Sequence, residues 1–127
     1  MDSLQVHLDG SLAAAAEARM LLREAEVVDG LPETVRGDLE LLVSEVVTNG
    51  VRHARSDALM LGVERTRDRV RVRCCDGGPG FAGKPRRPSH TGGGGFGLLL
   101  VDRLADRWGV DPLEPEQGCC VWFELAA

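Results

Sequence analysis

Two short segments in the middle of the sequence constrain the fold most strongly. Larger apolar residues recur at every second position in Ala58–Val63 (Leu59, Leu61 and Val63) and in Val70–Cys75 (Val70, Val72 and Cys74), and only the charged turn Glu64–Arg69 separates the two segments. This pattern is typical of a β-hairpin, because successive side chains of a strand point to opposite faces of a sheet. Leu4–Leu8 alternates apolar and polar residues and is a further predicted strand, and Cys119–Leu125 is predicted as the closing strand. Hairpins of this kind favour an antiparallel pairing over a series of βαβ units.

Three other segments carry apolar residues at helical spacing. The first helix has Ser11 as a candidate N-cap, and the second reaches to about Ala54. The predicted segments are helices at Ser11–Val28, from residue 31 to about 54, and at Phe96–Trp108, with a short strand or turn at Gly109–Leu113. The order is strand, helix, helix, strand, strand, helix, strand, strand. It predicts an α/β (α+β) two-layer sandwich, with a mixed β-sheet that carries its helices on one face.

Length and charge exclude several classes of protein. A chain of 127 residues with 43% hydrophobic residues fits a single domain over 1–127. Its net charge is −5, and no basic stretch is longer than Arg86-Arg87, so direct binding of nucleic acid is not expected. No apolar run approaches the ~20 residues of a membrane span, and no secretion signal opens the chain. We therefore expect a cytoplasmic protein that does not contact a membrane.

The four cysteines form two adjacent pairs, Cys74-Cys75 and Cys119-Cys120. Both pairs fall in predicted strands, where neighbouring side chains point to opposite faces, so one pair cannot present both sulfurs to a single zinc ion. We expect small buried residues in a reducing cytosol. A metal site or a redox pair stays open, and a disulfide across neighbouring strands could form on oxidation.

Polar residues recur every four positions near the end of the second helix. Glu45, Asn49 and His53 lie on one helical stripe. The alternative interpretation is a polar face that points to solvent. Gly50, inside the same helix, costs about 1 kcal/mol relative to alanine, which indicates close approach of a ligand or another backbone.

Two glycine-rich segments follow in the same half of the chain. Asp76–Gly80 comes directly after a strand, and the four glycines of Gly92–Gly95 lead into the last helix. Alone, these are an ordinary turn and a flexible linker. The strand-end carboxylate of Asp76 could instead accept a ligand hydrogen bond, and the helix start could bind phosphates. The segment Phe81–Gly95, which ends in these four glycines, has the length of a functional lid or a disordered segment.

Together and in this order, these segments resemble the motifs of the GHKL ATPase superfamily, whose ATP-binding domain has the Bergerat fold. Glu45 and Asn49 match the N box, Asp76–Gly80 the first glycine box, and Gly93–Leu98 the second. The resemblance covers essentially the whole chain. The sequence of Ser44–Ala54 resembles that of the RsbW/SpoIIAB-type group, the anti-sigma-factor serine/threonine kinases. The sequence also shows no phosphoacceptor helix pair of the kind found in histidine kinases, which agrees with this group.

The resemblance implies a role for each matched residue. Glu45 would be the general base towards a substrate serine or threonine. Asn49 would give its side-chain oxygen to Mg²⁺, and Asp76 would accept a hydrogen bond from adenine, so the site should prefer ATP to GTP. The remaining implied ATP-binding residues make room for the base, form the lid hinge or face the phosphates: His53, Gly78, Gly80, Gly93, Gly95, Gly97, Leu98 and Cys119.

The sequence departs from the family at one motif and leaves another segment ambiguous. A Gly-Thr pair usually stands near the adenine, whereas this chain has Gly118-Cys119, and a thiol is a weaker hydrogen-bond donor than a hydroxyl. Three basic residues between the glycine boxes could contact phosphate or could be solvated: Lys84, Arg86 and Arg87.

The implied function is ATP-dependent: a serine/threonine kinase that sequesters a sigma factor and phosphorylates an anti-anti-sigma protein of the STAS type. Two alternatives stay open. The chain could be a non-catalytic module whose bound nucleotide shapes the sigma-factor surface. It could also be a detached histidine-kinase-type catalytic domain. A homodimer is left open.

Overall fold

Five strands and three α-helices form the part of the chain that the computed structural model describes, namely residues 3–53, 58–76, 96–112 and 119–127. The elements are β1 Ser3–Asp9, α1 Ala14–Glu24, α2 Glu33–His53, β2 Ala58–Arg65, β3 Arg69–Asp76, α3 Phe96–Leu104, β4 Arg107–Pro112 and β5 Cys119–Ala126. One turn of 3-10 helix, Glu26–Val28, follows α1. The order of elements predicted from the sequence is confirmed.

The strands form one sheet in the order β1-β2-β3-β5-β4. Every neighbouring pair is antiparallel, so the two-layer architecture is as expected but the described sheet is antiparallel rather than mixed. The connections explain this. The helices α1 and α2 run antiparallel between β1 and β2, so β2 begins at the end of the sheet where β1 finishes. Strands β3 and β4 run in the same direction, but β5 lies between them and is antiparallel to both.

The core lies between one face of the sheet and the helices. Val70, Val72 and Cys74 of β3 are buried, whereas the intervening Arg71 and Arg73 lie on the opposite face and are half-buried. We call that opposite side the open face of the sheet. The largest fully buried side chains are Phe123, Leu22, Leu39, Leu42, Leu59, Leu61 and a group of valines.

Helix α1 begins later than the sequence predicts. The N-cap position is Ala13, which makes no side-chain capping bond, and Ser11 instead accepts a turn hydrogen bond from the amide of Ala14 at 3.1 Å. The expectation that Ser11 caps the helix is therefore wrong. The buried stripe of α1 begins at Ala14, so only from there on does packing favour the helix.

Helix α3 ends earlier than the sequence predicts. It stops at Leu104, and Trp108 belongs to β4 rather than to the helix. Trp108 pairs in register with Phe123 of β5, while its indole N–H donates to Asp102 at 2.9 Å. Pairing with β5 therefore overrides the helical spacing that includes Trp108.

The cysteines do not all behave as reduced core residues. Cys75 and Cys120 are paired in register across β3 and β5 and form a disulfide. Cys74, on the helix-facing side, is buried and stays outside this disulfide. The expected placement in strands is correct, but the prediction of four reduced thiols is wrong for this linked pair.

One buried carboxylate organises the open face. Glu124 of β5 lies 2.8 Å from Arg69, 3.2 Å from Arg71 and 3.8 Å from Arg107. The guanidinium of Arg71 also stacks over the indole of Trp122, 4.5 Å from the ring centroid. These contacts tie β3, β4 and β5 together on the side away from the helices.

Candidate functional site

Glu45 and Asn49 occupy one stripe of α2, as the sequence spacing predicts. Residues four apart on a helix have Cβ atoms about 5–6 Å apart. Asn49 is 4% exposed, whereas Glu45 is half-buried. The stripe therefore passes from a position that solvent reaches to one that is enclosed, within a single helical turn.

The turn of α2 that carries Asn49 packs on the ends of two central strands. A Cβ atom at Gly50 would lie 3.2 Å from Cδ2 of Leu59 in β2 and 3.6 Å from Sγ of Cys74 in β3. Leu59 pairs in register with Asp76, the last residue of β3. Asn49 and Asp76 therefore belong to one corner, where the end of α2 covers the end of β3.

The amide of Asn49 is not fully satisfied by the protein. Its Nδ2 atom is buried and has no hydrogen-bond partner among the described residues. Nearly all buried polar side-chain atoms in folded proteins have a partner, and an unsatisfied one costs about 1–3 kcal/mol. A buried amide of this kind is typical of a site that a polar ligand completes.

The carboxylate of Asp76 is the second buried polar group of the corner. Asp76 is 3% exposed and ends a strand whose helix-facing side is otherwise apolar. A carboxylate accepts hydrogen bonds, whereas an amide both donates and accepts. The corner thus offers both kinds of polar group within an apolar wall, which suits recognition of a flat heterocycle or a polar small molecule.

Helix α3 carries two further predicted site residues, Gly97 and Leu98. It packs against α2, with Leu98 8% exposed and Val101 fully buried. Gly97 lies in the first turn of this helix. Backbone N–H groups in a first turn have no intrahelical partner and can bind phosphate oxygens.

Several predicted site residues cannot be placed. Gly78, Gly80, Gly93 and Gly95 lie outside the described residues, as do Lys84, Arg86 and Arg87. His53 ends α2 and Cys119 begins β5, and only their backbones are described. Of the predicted set, the structure describes Glu45 and Asn49 on one stripe of α2, Asp76 at the end of β3, and Gly97 and Leu98 in the first turn of α3.

A family model described as the histidine kinase-like ATPase domain matches residues 8–124 of the chain. The chain belongs to this family. The GHKL resemblance inferred from the sequence motifs is thereby confirmed, and the corner lies in a domain of the kinase-type ATPase family.

Two known proteins illustrate the similarity. An uncharacterized sensor-like histidine kinase from Chloroflexus aurantiacus is 30% identical over 105 residues, which are 81% of this chain and 18% of that protein. The crystal structure of the RsbU and RsbW domains of Rv1364c from Mycobacterium tuberculosis superposes with a TM-score of 0.73 at 19% identity, over 98% of this chain and 32% of that one. The chain thus spans less than a third of either protein's length, and the second similarity establishes the fold.

The donor set of the corner fits a nucleotide-bound Mg²⁺ better than a protein-only metal site. No group of three or more His, Cys, Asp or Glu residues within the described ranges is arranged to hold a metal. Mg²⁺ in nucleotide sites keeps few protein ligands and takes most of its oxygens from phosphates and water. The amide of Asn49 fits this role, because a rotation about its last bond can present the oxygen instead of the unsatisfied nitrogen.

One contact beside Glu45 was not predicted. Arg19 of α1 donates to the hydroxyl of Ser44 at 2.8 Å, and that hydroxyl donates to the backbone carbonyl of Glu40 at 3.0 Å. Arg23 pairs with Glu40 at 2.8 Å. These bonds fix α1 against the half of α2 that carries Glu45. The sequence indicates these contacts only indirectly, through Arg19 and Arg23 four residues apart on α1 and Glu40 and Ser44 four residues apart on α2.

The described helices carry no membrane-spanning segment. None of them combines the length and the apolar composition that crossing a bilayer requires.

Proposed function

We propose that this chain is an anti-sigma factor with ATP-dependent serine/threonine kinase activity towards a STAS-type anti-anti-sigma protein. The observation that supports this most directly is the buried, incompletely satisfied amide of Asn49. It stands one helical turn from a carboxylate that solvent reaches and shares a corner with the buried Asp76. A nucleotide completes such a corner, and a protein hydroxyl can approach its open side.

Glu45 is the general base of the proposed reaction. Its carboxylate accepts the proton of a substrate serine or threonine hydroxyl while the hydroxyl oxygen bonds to the γ-phosphorus of ATP. The bond between that phosphorus and the bridging oxygen breaks, and ADP leaves. Base catalysis of this kind contributes about 10²–10⁴ in rate. The half-buried position of Glu45 suits a base that must meet a macromolecular substrate.

Asp76 selects the nucleotide in this proposal. Its carboxylate accepts a hydrogen bond from the exocyclic amine of adenine, whereas guanine presents a carbonyl oxygen at that position. Two acceptors that face each other repel. Because Asp76 is 3% exposed, water cannot readily relieve that mismatch.

Mg²⁺ bound to the triphosphate would neutralise charge that develops on the transferred phosphoryl group. On the protein side, Asn49 orients that complex and the first turn of α3 faces the phosphates. The apolar side chains of Leu98 and Val101 help to keep water from the corner.

The proposed partners follow from the sequence resemblance and agree with the fold. The RsbW domain in the solved mycobacterial structure shares this architecture. Glu45 is available as the base that a kinase needs, and the phosphotransfer assay described below separates a kinase from a module that only binds a partner. We place the protein in the cytoplasm, where a sigma factor would be its target.

A histidine-kinase-type catalytic domain is the second candidate. The 30% identity to a sensor-like histidine kinase favours it. In that case the phosphoryl acceptor is a histidine on a separate domain or chain. The same corner would bind the nucleotide, but Glu45 would face an imidazole instead of a hydroxyl.

A phosphotransfer assay separates these candidates. The chain is incubated with γ-labelled ATP and a STAS protein or a histidine-kinase phosphoacceptor domain, alongside the Glu45→Gln variant. We expect acid-stable label on the STAS protein with the wild type, and a loss of about 10²–10⁴ in rate with the variant. Acid-labile label on a histidine would favour the second candidate. Capture of a sigma factor with bound ATP but no transfer to any acceptor would favour a non-catalytic module.

A further inference from the structure

The Cys75–Cys120 disulfide stands at the end of the sheet where Asp76 emerges. Cys75 is the residue directly before Asp76 in β3. The Cys75–Cys120 pair is also the last pair in the β3–β5 register, which begins at Arg69. The bond therefore links the two strands covalently at the point where their pairing ends.

The disulfide lies on the face of the sheet opposite to the candidate site. Side chains of neighbouring strand residues point to opposite faces, so Cys75 lies on the open face and Asp76 on the helix-facing side. Leu59 holds Asp76 from β2, and the disulfide holds the preceding residue from β5. With the disulfide formed, the end of β3 that carries Asp76 is restrained by β2 on one side and by β5 on the other.

A cation lies against one of the two sulfurs. Nη2 of Arg73 is 3.6 Å from Sγ of Cys120. The Nε atom of the same guanidinium is buried and has no hydrogen-bond partner in the described part of the chain. A neighbouring guanidinium favours the thiolate form of a cysteine, so Arg73 stabilises the product of reduction at Cys120 and gives its own charge a partner.

We infer that Cys75–Cys120 is a reversible redox site that positions Asp76, so that the oxidised chain binds adenine nucleotides more tightly than the reduced chain. This inference rests on the proposed function. The reductant is a small or protein dithiol. Its thiolate attacks Sγ of Cys75 and displaces Cys120 as a thiolate beside Arg73. Its second thiol then releases Cys75. The dithiol leaves as a disulfide after supplying two electrons; one of its two protons goes to Cys75 and the other to solvent, so that Cys120 stays a thiolate.

Access to the sulfurs requires a local opening. Cys75 is 5% exposed and Cys120 is fully buried. Because they are the terminal pair of their ladder, opening the strand end exposes them without unfolding the sheet. Reduction removes the covalent restraint, and Asp76 then has to be ordered when the nucleotide binds.

Nucleotide affinity in the two redox states tests this inference. Wild-type protein, verified by alkylation and mass spectrometry to carry the 75–120 linkage, is titrated with ATP, ADP and GTP before and after reduction with dithiothreitol. We expect reduction to weaken ATP and ADP binding about three- to tenfold, the effect of one imperfectly placed hydrogen bond. GTP should change less, so the ratio of ATP to GTP affinity should narrow. If the crosslink were merely structural, its reduction would lower the melting temperature without changing the ratio of ATP to GTP affinity.

Two cysteine variants serve as matched controls. The Cys75→Ala/Cys120→Ala double variant should bind like the reduced wild type and should not respond to dithiothreitol. The Cys74→Ala variant keeps the linked pair and should respond like the wild type. If the double variant does not fold, the comparison of oxidised and reduced wild type decides alone.

The role of Arg73 is tested by equilibrating the protein in glutathione buffers. Arg73→Gln should keep the disulfide at several-fold more reducing ratios than the wild type, whereas Arg73→Lys should stay close to the wild type. An unchanged midpoint in Arg73→Gln would contradict the thiolate contact.

Two outcomes overturn the inference in distinguishable ways. Equal ATP affinity and equal base selectivity in the oxidised and reduced states would refute the redox site but leave the proposed function intact. Absence of adenine-nucleotide binding in both states would refute the proposed function, and the inference with it.

Discussion

Gly50 of α2 and Leu59 of β2 are packed so closely that a Cβ atom at Gly50 would lie 3.2 Å from Cδ2 and 3.3 Å from Cδ1 of Leu59. The presence of glycine at position 50, inside the last turns of α2, is thus explained by close side-chain contact between the helix layer and the sheet. The sequence interpretation expected a ligand or another backbone, whereas the nearest atoms are side-chain atoms of Leu59 and of Cys74 in β3. This close packing also places Asn49 next to the end of β3.

Two helical glycines should respond oppositely to alanine. Gly37 of the same helix is exposed and a Cβ atom there meets nothing within 4 Å. Gly37→Ala should therefore raise the free energy of unfolding by about 1 kcal/mol. In Gly50→Ala the same gain is offset because Leu59 must move, so the free energy should be unchanged or lower. Urea unfolding measures both. A full 1 kcal/mol gain in Gly50→Ala would contradict the close contact.

Asn49 should contribute to ligand binding more than to stability. Asn49→Ala removes an unsatisfied polar atom together with some packing, so the unfolding free energy of the apo protein should change by less than about 1 kcal/mol. Val47→Ala, at a fully buried position two residues earlier in the same helix, should lose roughly 2 kcal/mol. Asn49→Ala should also lose most of the stabilisation by ATP and Mg²⁺, whereas Val47→Ala should keep it. A large apo destabilisation of Asn49→Ala would indicate a structural role instead.

The buried carboxylate of Glu124 should stabilise the open face of the sheet. Glu124→Gln keeps the shape but weakens contacts to three arginines, so we expect a loss of roughly 1–3 kcal/mol. Arg107→Gln is the control, since its guanidinium is 64% exposed and 3.8 Å from the carboxylate, and exposed pairs contribute about 0–1 kcal/mol. Thermal unfolding of both variants measures the difference. Equal, small losses would mean that the carboxylate is not the organising group.

The architecture could be predicted because local patterns decide it. Alternation in Leu59, Leu61 and Val63 is enough to place β2, and the turn after it is short and charged. The same rule fails at Trp108, which continues the helical spacing of α3 but pairs with Phe123. That pairing depends on a strand fifteen residues away in the chain, so no local pattern contains it.

For the candidate site, the sequence predicts where the residues lie on helices and strands, whereas their roles stay predictions. Glu45, Asn49 and Asp76 were identified from motif spacing and family resemblance, since a helical period of four and a strand end fix where such residues point. Burial of the Asn49 amide without a partner and the linkage of Cys75 to Cys120 depend on how α2 and β5 pack. Adjacent cysteines in two strands leave the register open, so the sequence could only allow a disulfide.

A calorimetric titration with ATP, ADP and GTP in the presence of Mg²⁺, on the wild type and on Asp76→Asn, tests the nucleotide site most directly. We expect the wild type to bind ATP and ADP and to bind GTP much more weakly, and Asp76→Asn to lose most of the ATP affinity while remaining folded by circular dichroism. At a hundredfold excess over its dissociation constant, ATP should stabilise the wild type by about 2.7 kcal/mol. No heat from any adenine nucleotide on folded wild-type protein, or equal ATP binding by Asp76→Asn, would contradict the site described here.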